Sequence, residues 1–145
     1  MTTQAIGTAA PRTNSLPIPA SRLWTARVLT AIPILFLTFD GASKVMNVAP
    51  VREAMAQLGY SPDAGVGIGI ILLACVALYA IPRTAVLGAI LLTGYLGGAI
   101  ATHVRVGNPL FSHTLFPIYI AAMIWGGLYL RDARLRALVP LRAAE

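Results

Sequence analysis

The sequence predicts an all-α membrane protein, a four-transmembrane-helix bundle with a short amphipathic helix between helices 1 and 2. Hydrophobic residues make up 57% of the 145 residues, and the mean hydropathy is +0.76. Charged residues make up only 11% of the chain, whereas soluble domains average about 25%. Four long apolar stretches alternate with short polar segments, and a chain of this length accommodates one such membrane domain.

Three segments divide the chain. Residues 1–20 are rich in Thr, Ala and Pro and predict a disordered N-terminal tail. Residues 21–131 form the predicted four-helix transmembrane domain, and residues 132–145 form a basic cytoplasmic tail. The net charge of +6 comes from basic residues near helix ends. This distribution is typical of a membrane topology signal and argues against nucleic acid as a partner.

The first predicted helix covers residues 21–44, and Pro33 is expected to kink it because proline removes one backbone hydrogen bond. The short amphipathic helix is predicted within residues 48–60, where apolar residues recur at the spacing of one helix face. It is too short to span a bilayer, so we expect it at the membrane surface or as a lid. That apolar face consists of Val51, Ala54, Met55 and Leu58.

The other three predicted helices cover residues 64–81, about 84–104 and about 114–130. The first of these contains no charged residue and is close to the minimum length that spans a bilayer. Four spans place both termini on one side, which carries eight of the Lys and Arg residues against three on the other. The asymmetry predicts a multi-pass protein of the cell membrane with both termini in the cytoplasm.

Most polar side chains at membrane depth are expected in one layer on the outer side. Asp40 and Lys44 end the first helix four residues apart, hence on one helix face. Each ionisable group at this depth costs about 2.5–3.5 kcal/mol, so such groups pair, face the protein interior or mark a functional site. We therefore expect a single outer pocket between the helices. Its candidate residues are Asp40, Lys44, Tyr60, His103, Arg105, Asn108 and His113.

Acid/base chemistry is the first hypothesis for this pocket. Asp40 would act as general acid or base with His103 as its proton partner, and Lys44 and Arg105 would hold developing negative charge. The other residues, Tyr60, Asn108 and His113, would contact the substrate. Each of these residues also has a structural alternative. Asp40 and Lys44 could form an ion pair that offsets its own insertion cost. His103 could bond to a loop carbonyl, and Arg105 could anchor the helix at the membrane interface.

Metal and thiol chemistry have little support in the sequence. His103 and His113 lack the convergent ligands that zinc or haem requires. Cys75 is the single cysteine, so a Cys-x-x-Cys pair is absent and an intrachain disulfide cannot form. Acid/base chemistry requires no cofactor, whereas redox chemistry would require a bound quinone or a partner subunit.

Four short segments resemble the DoxX-like family of small four-helix integral membrane proteins. They are residues 39–44 (FDGASK), 58–62 (LGYSP), 81–83 (IPR) and 102–108 (THVRVGN). The resemblance extends from about Arg22 to Arg131 and implies the family's fold. It also implies recurring family positions, which here are Gly41, Lys44, Gly59, Tyr60, His103 and Arg105.

The chain departs from the family pattern at two places. Asp40 stands where relatives often have a small residue, and the second spanning helix lacks the glutamate that many of them carry. These departures make Asp40 the specialised acid of this chain. They favour an enzyme that acts on a small lipophilic substrate by isomerisation or hydrolysis.

Two other functions remain open from the sequence. One is a quinone-linked oxidoreductase subunit. The other is a non-catalytic accessory or assembly subunit that docks through the small-residue face of Gly94 and Gly98 onto a membrane partner or a second copy of the chain. The sequence does not favour a transporter, because it has a single polar layer and no charge at the membrane midplane. Beyond the lipid bilayer, the expected partner is the substrate itself.

Overall fold

The computed structural model describes residues 20–61 and 63–138, and over these residues the protein is helical with no strand. Six α-helices and one π-helical segment follow one another within these described ranges. They are α1 (Ala20–Val45), α2 (Ala49–Gln57), α3 (Ala64–Ala80), α4 (Ala85–Arg105), the π-helical segment Leu110–Thr114, α5 (Phe116–Arg131) and α6 (Ala133–Leu138). The predicted tail of residues 1–20 lies outside the described residues apart from Ala20. The predicted basic tail of residues 132–145 is described up to Leu138, where it contains α6.

Three helical stretches are long and apolar enough to cross a membrane: Ala20–Val45, Ala85–Arg105 and Leu110–Arg131. Helix α3 is apolar too but has only 17 residues. Many large apolar side chains on the outside of these helices are exposed, such as Leu35 at 70% and Phe39 at 75%. A water-soluble protein would bury much of this surface, whereas lipid tails cover it without cost.

The last spanning stretch starts differently from the prediction. The sequence predicts the start of a helix at about residue 114, but the π-helical segment Leu110–Thr114, which contains His113, comes first. Pro117 explains the break, because its nitrogen has no hydrogen to donate to the carbonyl one turn earlier. A regular α-helix therefore begins only at Phe116.

Glycines set the closest helix crossings. Helix α1 packs against α3 and α5, and α4 packs against α3 and α5. At the α3–α4 crossing, a β-carbon added to Gly88 would overlap the backbone of Tyr79. At the α1–α3 crossing, a β-carbon on Gly69 would lie 2.7 Å from Lys44 Cβ and 2.8 Å from the carbonyl oxygen of Gly41. Only glycine permits these backbones to approach so closely.

The core lies between α3, α4 and α5. Leu72, Leu92 and Ile124 are fully buried there. Tyr79 is buried as well, and its hydroxyl donates a 3.1 Å hydrogen bond to the carbonyl oxygen of Ile124. This bond satisfies the one polar atom of an otherwise apolar side chain and ties α3 to α5.

Candidate functional site

A cavity of about 430 Å³ lies among the helices, within the range of ligand pockets. Most of its wall is apolar. Phe36 of α1 and Phe116 of α5 form part of this wall and make an edge-to-face contact, 5.2 Å between ring centres. Six polar side chains line it: Asp40, Lys44, Tyr60, Tyr95, Thr102 and His103. An apolar chamber with a few polar groups suits a lipophilic molecule that carries a polar head.

Two glycines on α4 leave part of this space open. Gly94 and Gly98 line the cavity, and a β-carbon added to either would meet no atom within 4 Å. The sequence also offered this pair as a contact face for a partner. Within the described residues, no other helix fills the space where their side chains would be, and this space widens the cavity.

Asp40 and Lys44 form an ion pair on the cavity-facing side of α1. The lysine side chain is 12% exposed and that of the aspartate 32%. The Lys44 stem lies at the α1–α3 crossing beside Gly69, and its ammonium turns back toward Asp40 rather than outward. The cation is thus held in place, while the aspartate has access to the cavity.

His103 is held by two neighbours from the segment after α4. The side-chain amide nitrogen of Asn108 lies 2.8 Å from His103 Nδ1, and the ring of His113 meets the His103 ring edge-to-face at 5.7 Å. With the Asn108 amide nitrogen as donor, Nδ1 accepts and the proton of the neutral ring resides on Nε2. In this arrangement His103 offers a hydrogen-bond donor, Nε2–H, to a ligand.

Tyr60 and Arg105 fasten the α2–α3 loop to the end of α4. Thr102 donates its hydroxyl proton to the carbonyl oxygen of Gly98, 2.9 Å away, so Tyr60 is the donor in the 2.9 Å bond between their hydroxyls. Arg105 donates to the carbonyl oxygen of Leu58, and its guanidinium lies 5.8 Å from the Tyr60 ring centre. These contacts hold the loop and the end of α2 beside the cavity.

The structure therefore places the predicted residues in two groups. Asp40, Lys44, Tyr60 and His103 line the cavity. Arg105, Asn108 and His113 do not line it but contact residues that do. The sequence predicts a direct substrate contact for these three residues. In the structure they support residues that form the wall of the cavity.

Sequence reasoning missed Tyr95 and Thr102, both on the cavity side of α4. A signal was present, because these two hydroxyl-bearing residues are seven positions apart and so share a helix face with Gly98. Among the described residues, no group of three His, Cys, Asp or Glu side chains could hold a metal ion.

Comparison with protein-family models found a match. The model of the DoxX-like family matches residues 28–127, which include α2, α3, α4 and most of α1 and α5. A search of curated proteins and a search of solved structures found no match.

Proposed function

The chain belongs to the DoxX-like family, and on that premise we propose that it is a four-span membrane enzyme acting on a small lipophilic substrate. The cavity that joins an apolar chamber to the Asp40–Lys44 pair and His103 carries the proposal. In this proposal Asp40 takes or gives the proton, Lys44 stabilises negative charge, and Nε2–H of His103 orients the polar head of the substrate.

The fourth span in this proposal is α3. Its 17 residues are about 26 Å long at 1.5 Å per residue, close to the thickness of the hydrocarbon core. It contains no charged residue and connects two polar layers, since Gly69 adjoins Lys44 at one and Tyr79 adjoins Arg131 at the other. Four spans also place both termini on the side richer in arginine, which we assign to the cytoplasm.

The first test asks whether the cavity holds a small molecule. We expect a lipophilic compound to co-purify with the full chain in mild detergent and to be released by organic extraction for mass spectrometry. Gly98→Leu should remove it, because the new side chain fills the open space beside Gly98. Gly97→Leu is the matched control, since Gly97 also has open space around it but does not line the cavity. Equal retention by both variants would contradict the cavity as the binding site.

The second test asks whether the bound compound undergoes acid/base chemistry. The protein in liposomes is incubated with the extracted compound in deuterium oxide or in heavy-oxygen water. Isomerisation would place deuterium on carbon, and hydrolysis would place heavy oxygen in the product. Asp40→Asn, checked for native helix content, should slow labelling by about 100-fold or more. A co-purified quinone without labelling would favour the quinone-linked subunit instead, and no compound at all would favour the accessory subunit.

A further inference from the structure

A second cavity, of about 450 Å³, lies between α1 and α5 at the opposite end of the molecule. Two arginines line it, Arg27 from α1 and Arg131 from the last turn of α5, and none of the acidic residues that the structure describes does. Its remaining wall is formed by Leu23, Ala26, Thr30, Ala31 and Ile34. The hydroxyl proton of Thr30 is already donated to the carbonyl oxygen of Ala26 at 2.8 Å. Among the described residues that line this cavity, the guanidinium groups of Arg27 and Arg131 are therefore the donors left for a ligand.

Arg131 is fixed in position but incompletely bonded. Its guanidinium carbon lies 5.4 Å from the ring centre of Tyr79, a stacking contact that arginine favours. Its Nη2 is buried and has no hydrogen-bond partner among the described residues. A buried donor of this kind is costly to leave unpaired, and charge increases that cost.

The neighbouring acid does not supply the missing acceptor. Asp132 accepts hydrogen bonds at Oδ1 from the backbone N–H groups of Arg134, at 2.8 Å, and Leu135, at 3.4 Å. It therefore serves the first turn of α6. Within residues 20–61 and 63–138 the only salt bridge joins Lys44 to Asp40, so neither Arg27 nor Arg131 has a carboxylate partner there.

We propose that this cavity binds the phosphate headgroup of an anionic phospholipid, which supplies the acceptor that Arg131 lacks within residues 20–61 and 63–138. The flat guanidinium fork matches phosphate oxygens in pairs. The apolar wall of the cavity includes the exposed side chains of Leu23 and Ala31, and they offer contacts for the acyl chains. Trp24, 65% exposed one turn before Arg27, marks the depth at which aromatic side chains meet headgroups.

A lipid explains the surroundings better than free phosphate does. A hydrated inorganic anion would gain nothing from the apolar wall, whereas a phospholipid uses both the arginines and the apolar surface. The site also lies at the end that carries most arginines, which the sequence assigns to the cytoplasm, where anionic lipids are concentrated. The inference does not depend on the outer cavity or on catalysis.

Native mass spectrometry of the full chain tests the proposal with three probes: phosphatidylglycerol, phosphatidylcholine and inorganic phosphate. We expect phosphatidylglycerol to bind and the other two not to bind at the same concentration. Arg131→Gln and Arg27→Gln should each weaken phosphatidylglycerol binding by about tenfold, because each removes one charged donor. Arg83→Gln is the charge-matched control, since Arg83 is exposed in the turn between α3 and α4.

Three results would overturn the proposal. One is binding of phosphatidylcholine as tight as that of phosphatidylglycerol. Another is binding of inorganic phosphate with the same dependence on Arg27 and Arg131, which would mean a free-anion site. The third is a loss in Arg83→Gln as large as in Arg27→Gln, which would mean attraction by net charge alone. Arg27 is exposed, so its variant remains informative if Arg131→Gln does not fold.

Discussion

Replacing Gly88 with leucine will keep the chain from forming its native helix bundle. A β-carbon at this position would overlap the backbone nitrogen and Cα of Tyr79, and the carbonyl carbon of Leu78 would lie 2.7 Å away. Backbone atoms cannot rotate aside as a flexible side chain can, so α4 would have to separate from α3. Overpacking in a dense core typically costs about 1–3 kcal/mol, and here the helix shift would also disturb the Tyr79 bond to Ile124.

Thermal unfolding of the purified protein in detergent, followed by circular dichroism, measures this effect. Gly88→Ala should lower the unfolding temperature markedly, and Gly88→Leu should give aggregated or undetectable protein. Gly97→Ala and Gly97→Leu are the matched controls on the same helix, because nothing lies within 4 Å of a β-carbon at Gly97. We expect these controls to unfold within a few degrees of the parent chain. Similar losses at both positions would mean that the α3–α4 crossing is not as close as described.

Asp40→Ala will destabilise the protein more than Lys44→Met. Removing the carboxylate leaves the Lys44 ammonium without its counter-charge on a side chain that is only 12% exposed. Breaking a buried ion pair from one side costs about 3 kcal/mol or more. Removing the lysine leaves an aspartate that is 32% exposed and lines the cavity, where water can solvate it.

The double variant Asp40→Ala/Lys44→Met separates the pair from the individual residues. Since neither charge remains, we expect its unfolding free energy to return to within about 1 kcal/mol of the parent value. The double-mutant cycle compares denaturation in mixed micelles of the parent chain, the two single variants and the double variant. Additive losses in the double variant would contradict a coupled pair, and an unchanged Asp40→Ala would contradict burial of Lys44.

The ion pair is an example of a contact in this site that can be predicted from the sequence. Residues four apart on a helix share a face whatever surrounds them, so the contact of Asp40 with Lys44 follows from local geometry. Its neighbour across the cavity, His103, could be placed at the same depth because both lie near the outer ends of predicted spanning helices. Depth in a membrane is fixed by helix length, which the sequence determines.

Contacts between segments that are far apart in the chain cannot be predicted from local spacing. Nothing local brings Arg105 to the carbonyl oxygen of Leu58, or Tyr60 to Thr102, because the packing of α4 beside the α2–α3 loop decides both. The role of Gly98 was equally open, since a small residue permits either a helix contact or an empty space. Only the positions of α1 and α5 show that the space is empty.

The amino-acid sequence alone determined that this is an all-helical membrane protein of the DoxX-like family and where its costly polar groups are concentrated. Apolar length and helical spacing are local properties, so they can be read without knowing what packs against what. The tertiary structure decided which helix faces meet: the α3–α4 crossing at Gly88, the cavity beside Asp40, and the stacking of Arg131 on Tyr79. Those features depend on close packing between different helices, and no local pattern encodes them.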